Sequence, residues 1–170
     1  MNDDSVMITG DNDSTVIGGE YSMVIGGKHP TIIGGDKSVM TVKKQSSRII
    51  GGDGCTIISS GKYSGIYTDH NSTITTGDYC GVICGNDSTV TVGDGCGVTC
   101  GADSTVTAGK QCCISAGENS VVTGGERSRL SVEYWDEKIY RLAVGYVGEN
   151  GIEPNVPYHV IDNKLVRYGR

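Results

Sequence analysis

Apolar residues alternate with polar ones in short bursts, and the bursts recur every eight positions. From Gly77 to Val132 the chain reads GDYCGVIC GNDSTVTV GDGCGVTC GADSTVTA GKQCCISA GENSVVTG GERSRLSV, seven octads of the form Gly-x-x-(Ser/Cys)-x-(Val/Ile/Leu)-x-small. A fixed short period identifies a repeat architecture before any motif is considered. With the Ser/Cys position as register mark i, the octads begin at Ser5, Ser14, Ser22, Pro30, Ser38, Ser47, Cys55, Ser64, Ser72, Cys80, Ser88, Cys96, Ser104, Cys112, Ser120 and Ser128. Single-residue insertions precede Ser14, Ser47 and Ser64. Position i+2 is Val, Ile, Met or Leu throughout, from Met7, Val16 and Val24 to Val122 and Leu130.

Within an octad, i, i+2 and i+4 share one side of an extended strand and i+1 and i+3 the other. The aliphatic i+2 assigns the first set to the interior. The Gly at i+5 is expected to break the strand and let the chain turn. One octad is then a strand and a corner, and two octads return the chain to its start one rung higher. The expected architecture is an all-β solenoid (a β-helix) of about eight 16-residue coils, stacked at about 4.8 Å.

The outward pairs divide into two faces. One carries Thr56/Ile58, Thr73/Thr75, Thr89/Thr91, Thr105/Thr107 and Val121/Thr123, and is rich in threonine at its centre. The other is mixed: Thr15/Ile17, Thr31/Ile33, Arg48/Ile50, Gly65/Tyr67, Gly81/Ile83, Gly97/Thr99, Cys113/Ser115 and Arg129/Ser131. Residues 1–132 form the octad solenoid in this reading. Residues 133–170 form a C-terminal capping segment with strands at 139–147, 157–161 and 164–168 and a tight turn at Asp162-Asn163. Such a segment covers the last coil edge. The first coil has no comparable cover, so Val6, Met7 and Ile8 form a candidate self-association edge and a route to a homodimer.

Composition narrows the function classes. With 27 Gly, no Phe and 6% aromatic residues, the chain suits a narrow, tightly turned structure rather than a layered globule. A net charge of −6 argues against direct nucleic-acid binding. No apolar run reaches transmembrane length, and MNDDSVMITG lacks the basic and apolar regions of a signal peptide, so a cytoplasmic location without membrane attachment is expected. In that compartment seven Cys point to reduced thiols. Cys80, Cys96 and Cys112 share one inward position, and Cys84 and Cys100 another. Packed thiols are favoured over disulfides between adjacent coils, and over zinc, because ligands four apart on a strand are about 13 Å apart. Cys113 points outward. His29, His70 and His159 are scattered, and no Walker loop, nucleophile elbow or HExxH is present, so no enzyme activity, cofactor or metal is expected.

The octads of the form GxxSxVTxG resemble the central repeat of the bacterial ice nucleation proteins. The segment ENSVV, then Tyr134-Trp135-Asp136 with Tyr140, Gly148-Glu149-Asn150-Gly151-Ile152-Glu153 and Pro157-Tyr158, is similar to that family's C-terminal cap. The resemblance covers nearly the whole chain, without the family's large N-terminal domain and with far fewer coils. It implies a β-solenoid, and ice binding through outward Thr-x-Thr ladders, which here are intact at Thr73/Thr75, Thr89/Thr91 and Thr105/Thr107.

Charge provides a second candidate surface. Between Tyr63 and Gly109 there is no Lys or Arg, while Asp69, Asp78, Asp87, Asp94 and Asp103 fall near the corners of consecutive coils. They form a candidate acidic binding strip, with a charge spacing that rivals a nucleic-acid backbone. Three functions follow from the sequence. The first is a non-enzymatic binding protein whose partner is a protein or nucleoprotein complex, such as a phage or mobile-element inhibitor of a CRISPR effector. The others are an ice-binding protein and a structural, self-assembling module.

Overall fold

A computed structural model describes residues 6–169. The alternation of the octads becomes nineteen short strands among the described residues. They are β1 Met7–Thr9, β2 Thr15–Ile17, β3 Met23–Gly26, β4 Thr31–Ile33, β5 Val39–Val42, β6 Arg48–Gly51, β7 Thr56–Ser59, β8 Gly65–Thr68, β9 Thr73–Thr76, β10 Gly81–Cys84, β11 Thr89–Val92, β12 Gly97–Cys100, β13 Thr105–Ala108, β14 Cys113–Ala116, β15 Val121–Thr123, β16 Arg129–Trp135, β17 Tyr140–Tyr146, β18 Pro157–Ile161 and β19 Lys164–Arg167. Odd strands β1 to β15 stack in parallel as one sheet, and even strands β2 to β16 as the other. The chain is an all-β solenoid of about eight coils. Most strands pair at a spacing of sixteen, as in Val90↔Val106 and Val82↔Val98. The insertions before Ser47 and Ser64 lengthen the step to seventeen, as in Thr31↔Arg48 and Thr56↔Thr73, and are absorbed at the corners.

The i+2 residues form a single stacked core. Val24, Ile32, Met40, Ile49, Ile57, Ile66, Val90, Val106, Ile114, Val122 and Leu130 are fully buried. Register marks line the core beside them and satisfy backbone groups from coil to coil. Ser72, Ser88 and Ser104 each donate a backbone N–H to the Ser Oγ one coil on, at 3.1–3.3 Å. On the other side, Cys80 N–H donates to Cys96 Sγ and Cys96 N–H to Cys112 Sγ, both at 3.3 Å. A small side chain with an acceptor is what this position needs, which is why Ser and Cys interchange there.

Two sequence expectations are corrected here. In the first octad the pairing is Met7↔Met23 and Ile8↔Val24, so Ile8 faces the core and Met7 faces out, 66% exposed. The mark therefore falls on Val6, not Ser5 (which lies outside the described residues), and no insertion precedes Ser14. Val6, Met7 and Ile8 are all apolar, so period-two alternation carries no signal there; stacking on Val24 decides the register.

The glycines also play a different role from the one expected. Each of fifteen corners has a left-handed residue, φ 48–67°, just before the register mark, and only Gly54 and Gly95 among them are glycine. The rest include Asp13, Tyr21, Asn71, Asp87, Asp103 and Asn119. Eleven Gly residues sit two positions earlier, outside the left-handed region, where coils touch. A Cβ on Gly117 would lie 2.5 Å from Ala102 N, and one on Gly125 would lie 2.8 Å from Gly109 C. There glycine lets backbones approach rather than turn.

At the C-terminal end the sheets change to antiparallel pairing. β17 pairs with β16, and β18 pairs with β15 and then β19. Tyr158 and Val147 join the core, with Ile152, Val156, Val160 and Leu165 packed against it. β16 runs on to Trp135, past residue 132, because β17 pairs along its full length. Ser131, expected on the outer face, is 2% exposed beside Val144 of β17, and its hydroxyl donates to Ile114 O at 2.7 Å. Asp162 and Asn163, φ 48° and 66°, form the expected turn.

Candidate functional site

The threonine face is assembled by register. Thr73, Thr89 and Thr105 are aligned partners on β9, β11 and β13, and so are Thr75, Thr91 and Thr107. All six are exposed, on strands whose intervening residues Ile74, Val90 and Val106 are buried. The result is a two-by-three array with spacings of about 4.8 Å between coils and about 6.7 Å along a strand. Thr56 extends one column toward the N-terminus and Thr123 the other toward the C-terminus. Ile58, Ile25, Met23 and Val39 are exposed neighbours that end the polar array on the N-terminal side. Threonine is stiff at χ1, so each hydroxyl and methyl is held in a narrow range of positions on a backbone that is itself laddered.

The five candidate acids lie on two corners, not one. Asp69, Asp87 and Asp103 occupy the corner that leads into the threonine face, and Asp78 and Asp94 the opposite corner. Their roles differ as well. Asp78 Oδ1 accepts from Asp94 N–H at 3.1 Å, and Asp94 Oδ1 accepts from Lys110 N–H at 2.7 Å. The corner that leads into the threonine face repeats this arrangement: Asp36 accepts from Asp53 N–H, Asp53 from His70 N–H, His70 Nδ1 from Asn86 N–H and Asn86 from Ala102 N–H, at 2.8–3.0 Å. These side chains join each corner to the next coil. Lys62 pairs with Asp78 at 3.0 Å; that bond and the Asp94 N–H hold the Asp78 carboxyl below its ordinary range. Asp87 and Asp103 instead hold left-handed corner positions and are exposed. Sequence reasoning missed the corner ladder, although acceptor side chains two residues before the register mark recur at coil spacing.

All seven cysteines are free thiols, six of them buried and Cys113 exposed. Flanking Cys112 and Cys80, and then burial, push the Cys96 thiol far above its ordinary range; Cys84 and then burial do the same to Cys100. Both sulfurs are packed: Cys96 Sγ accepts from Cys80 N–H and donates to Gly77 O, and Cys100 Sγ donates to Ser115 O. Among the described residues no group of three or more His, Cys, Asp or Glu converges as a metal site requires, and no helix is long and apolar enough to cross a membrane.

At the candidate self-association edge, β1 is the terminal strand of its sheet. Val6 and Met7 are exposed, while Ile8 is partly buried against the core.

No protein-family model matches the chain, and searches of curated proteins and of solved structures return no match.

Proposed function

We propose that this protein is a non-enzymatic solenoid of the ice nucleation protein type that binds ice through its threonine face. The observation that carries this reading is the in-register array Thr73/Thr75, Thr89/Thr91 and Thr105/Thr107: six exposed, stiff side chains, each with a hydroxyl and a methyl, on a regular lattice. Such a surface holds adjacent waters at fixed spacings, which a flexible polar surface does not. The buried Ser ladder and the tight corners keep it rigid.

The test is ice growth and recrystallisation in the presence of the wild-type protein and of Thr89→Tyr and Thr105→Tyr. A tyrosine at the array centre lifts the contact plane by several ångströms while leaving the core residues Val90 and Val106 untouched. Activity in the wild type that is lost in both variants supports the reading; wild-type crystals growing as in buffer refute it.

A second reading rests on Asp87 and Asp103, which are exposed on adjacent coils near Asp69. In it, the acidic corner contacts the basic groove of a nucleoprotein complex, such as a CRISPR effector. It is supported by salt-sensitive capture of such a complex that Asp87→Lys weakens and Thr89→Tyr does not.

A further inference from the structure

The chain is acidic overall, yet residues 28–48 hold five Lys or Arg and a single carboxylate. Part of this charge lines one place. Lys28, Lys43 and Lys44, with His29 and Gln45, line a groove of about 450 Å³ on one corner of the second and third coils. The first corner insertion falls here, at residues 43–46, where the usual Gly-x-x corner is replaced by Lys-Lys-Gln-Ser. The extra residue opens the corner. The bond from His29 N–H to Gln45 O is 3.4 Å, whereas the equivalent bonds before and after it, Asp13 N–H to Lys28 O and Ser46 N–H to Lys62 O, are 2.7 and 2.8 Å.

Among the other described Lys and Arg residues, Lys62, Lys110, Arg141 and Arg167 are each neutralised by a carboxylate, and Lys37, Arg48, Arg127, Arg129, Lys138 and Lys164 are not. Among the described residues, Lys28, Lys43 and Lys44 have no ion-pair partner, and His29 pairs with Asp13 at 3.2 Å. Three unpaired ammonium groups around one concavity repel one another, and a bound polyanion relieves that repulsion. Neither the octad repeat nor the threonine face requires this departure.

We propose that this groove is a binding site for a small, multiply charged phosphate anion, with Lys28, Lys43 and Lys44 as counter-charges and the Gln45 amide as a hydrogen-bond donor. Lysine acts here as a mobile point charge, which suits a compact polyphosphate better than a planar carboxylate. The site is independent of the threonine face.

The test is titration calorimetry of the full chain with inorganic tripolyphosphate in low-salt buffer. Lys43→Ser/Lys44→Ser is the loss variant, and Lys37→Ser, on the opposite corner beside Tyr21, is the control. Surface serines at an exposed corner leave the core intact, so folding is not at issue. The expected result is saturable binding that weakens at least ~10-fold in Lys43→Ser/Lys44→Ser, is retained by Lys37→Ser and falls steeply with added salt. Absence of binding by the wild type overturns the proposal. So does equal binding by the loss variant, which would assign the signal to diffuse surface charge.

Discussion

The two classes of glycine predict opposite outcomes for one substitution. Gly117 and Gly81 both belong to octads, both are followed by a regular coil and both have φ outside the left-handed region. Alanine is therefore conformationally acceptable at each, and removing unfolded-state freedom favours it by about 0.4–1 kcal/mol. Space separates them. A Cβ at Gly81 meets nothing within 4 Å, whereas at Gly117 it lies 2.5 Å from Ala102 N, 2.7 Å from Gly101 C and 2.8 Å from Ala102 Cα. These are backbone atoms and cannot rotate away. Reaching the 3.4 Å of ordinary contact means moving the coils apart by about 0.9 Å at this corner. That strains the bonds Gly117 N–H makes to Cys100 O and Gly101 O, at 3.1 and 3.2 Å. Overpacking of this kind costs about 1–3 kcal/mol, and the strained bonds place Gly117→Ala near the upper end, leaving a net loss of about 2 kcal/mol. For a protein of this size Gly117→Ala should lower the melting temperature by about 4–8 °C, while Gly81→Ala raises it by about 1–4 °C. Thermal unfolding followed by circular dichroism reads both. If both variants gain stability, the corner glycines are not there to let coils approach, and the packing argument fails.

Further outcomes follow from the same structure. Thr89→Tyr and Thr105→Tyr should abolish ice activity while changing stability by less than ~1 kcal/mol, because exposed strand positions accept aromatic residues; a large fall in melting temperature would void that separation. The Asp78 carboxyl is held below its ordinary value of 3.8, so its contribution to stability is present above that pH and is lost as pH falls through the lower folded-state value. Asp78→Asn should therefore flatten the acid limb of the stability–pH curve, and an unchanged limb would remove Lys62–Asp78 as a contributor. In the native state a thiol reagent should modify Cys113 rapidly and the other six cysteines only on unfolding; fast labelling of Cys80, Cys96 or Cys112 would show that the sulfur stack is open. The tripolyphosphate titration tests the lysine groove without reference to any of these.

The octad period, the inward aliphatic at i+2, the two unlike faces and the three strands after the last octad were legible because each rests on local alternation. A side chain every second residue must choose a side, and Val90 or Ile74 chooses the core whatever lies above it. The Thr array was legible for the same reason, since in-register stacking of identical octads needs only the repeat length. Where alternation is silent, the chain alone does not decide. Val6, Met7 and Ile8 are equally apolar, and only pairing with β3 makes Ile8 the inward residue.

The corners were decided by the tertiary structure. A glycine two residues before the left-handed position looks like a turn residue in the sequence, but contact with the previous coil is what requires it. The acids near the corners look like one strip, but successive octads turn opposite corners, so Asp78 and Asp94 are separated from Asp69, Asp87 and Asp103 by the width of the coil. The hydrogen bonds of Asp78 and Asp94 exist only between coils, across sixteen residues of chain. The lysine groove likewise depends on how one inserted residue spreads two stacked corners. The sequence by itself determined the period and the buried face, because these are properties of one strand. Only stacking decided which residues become neighbours across coils, and hence which acids serve as acceptors, which glycines are required for space and where a groove opens.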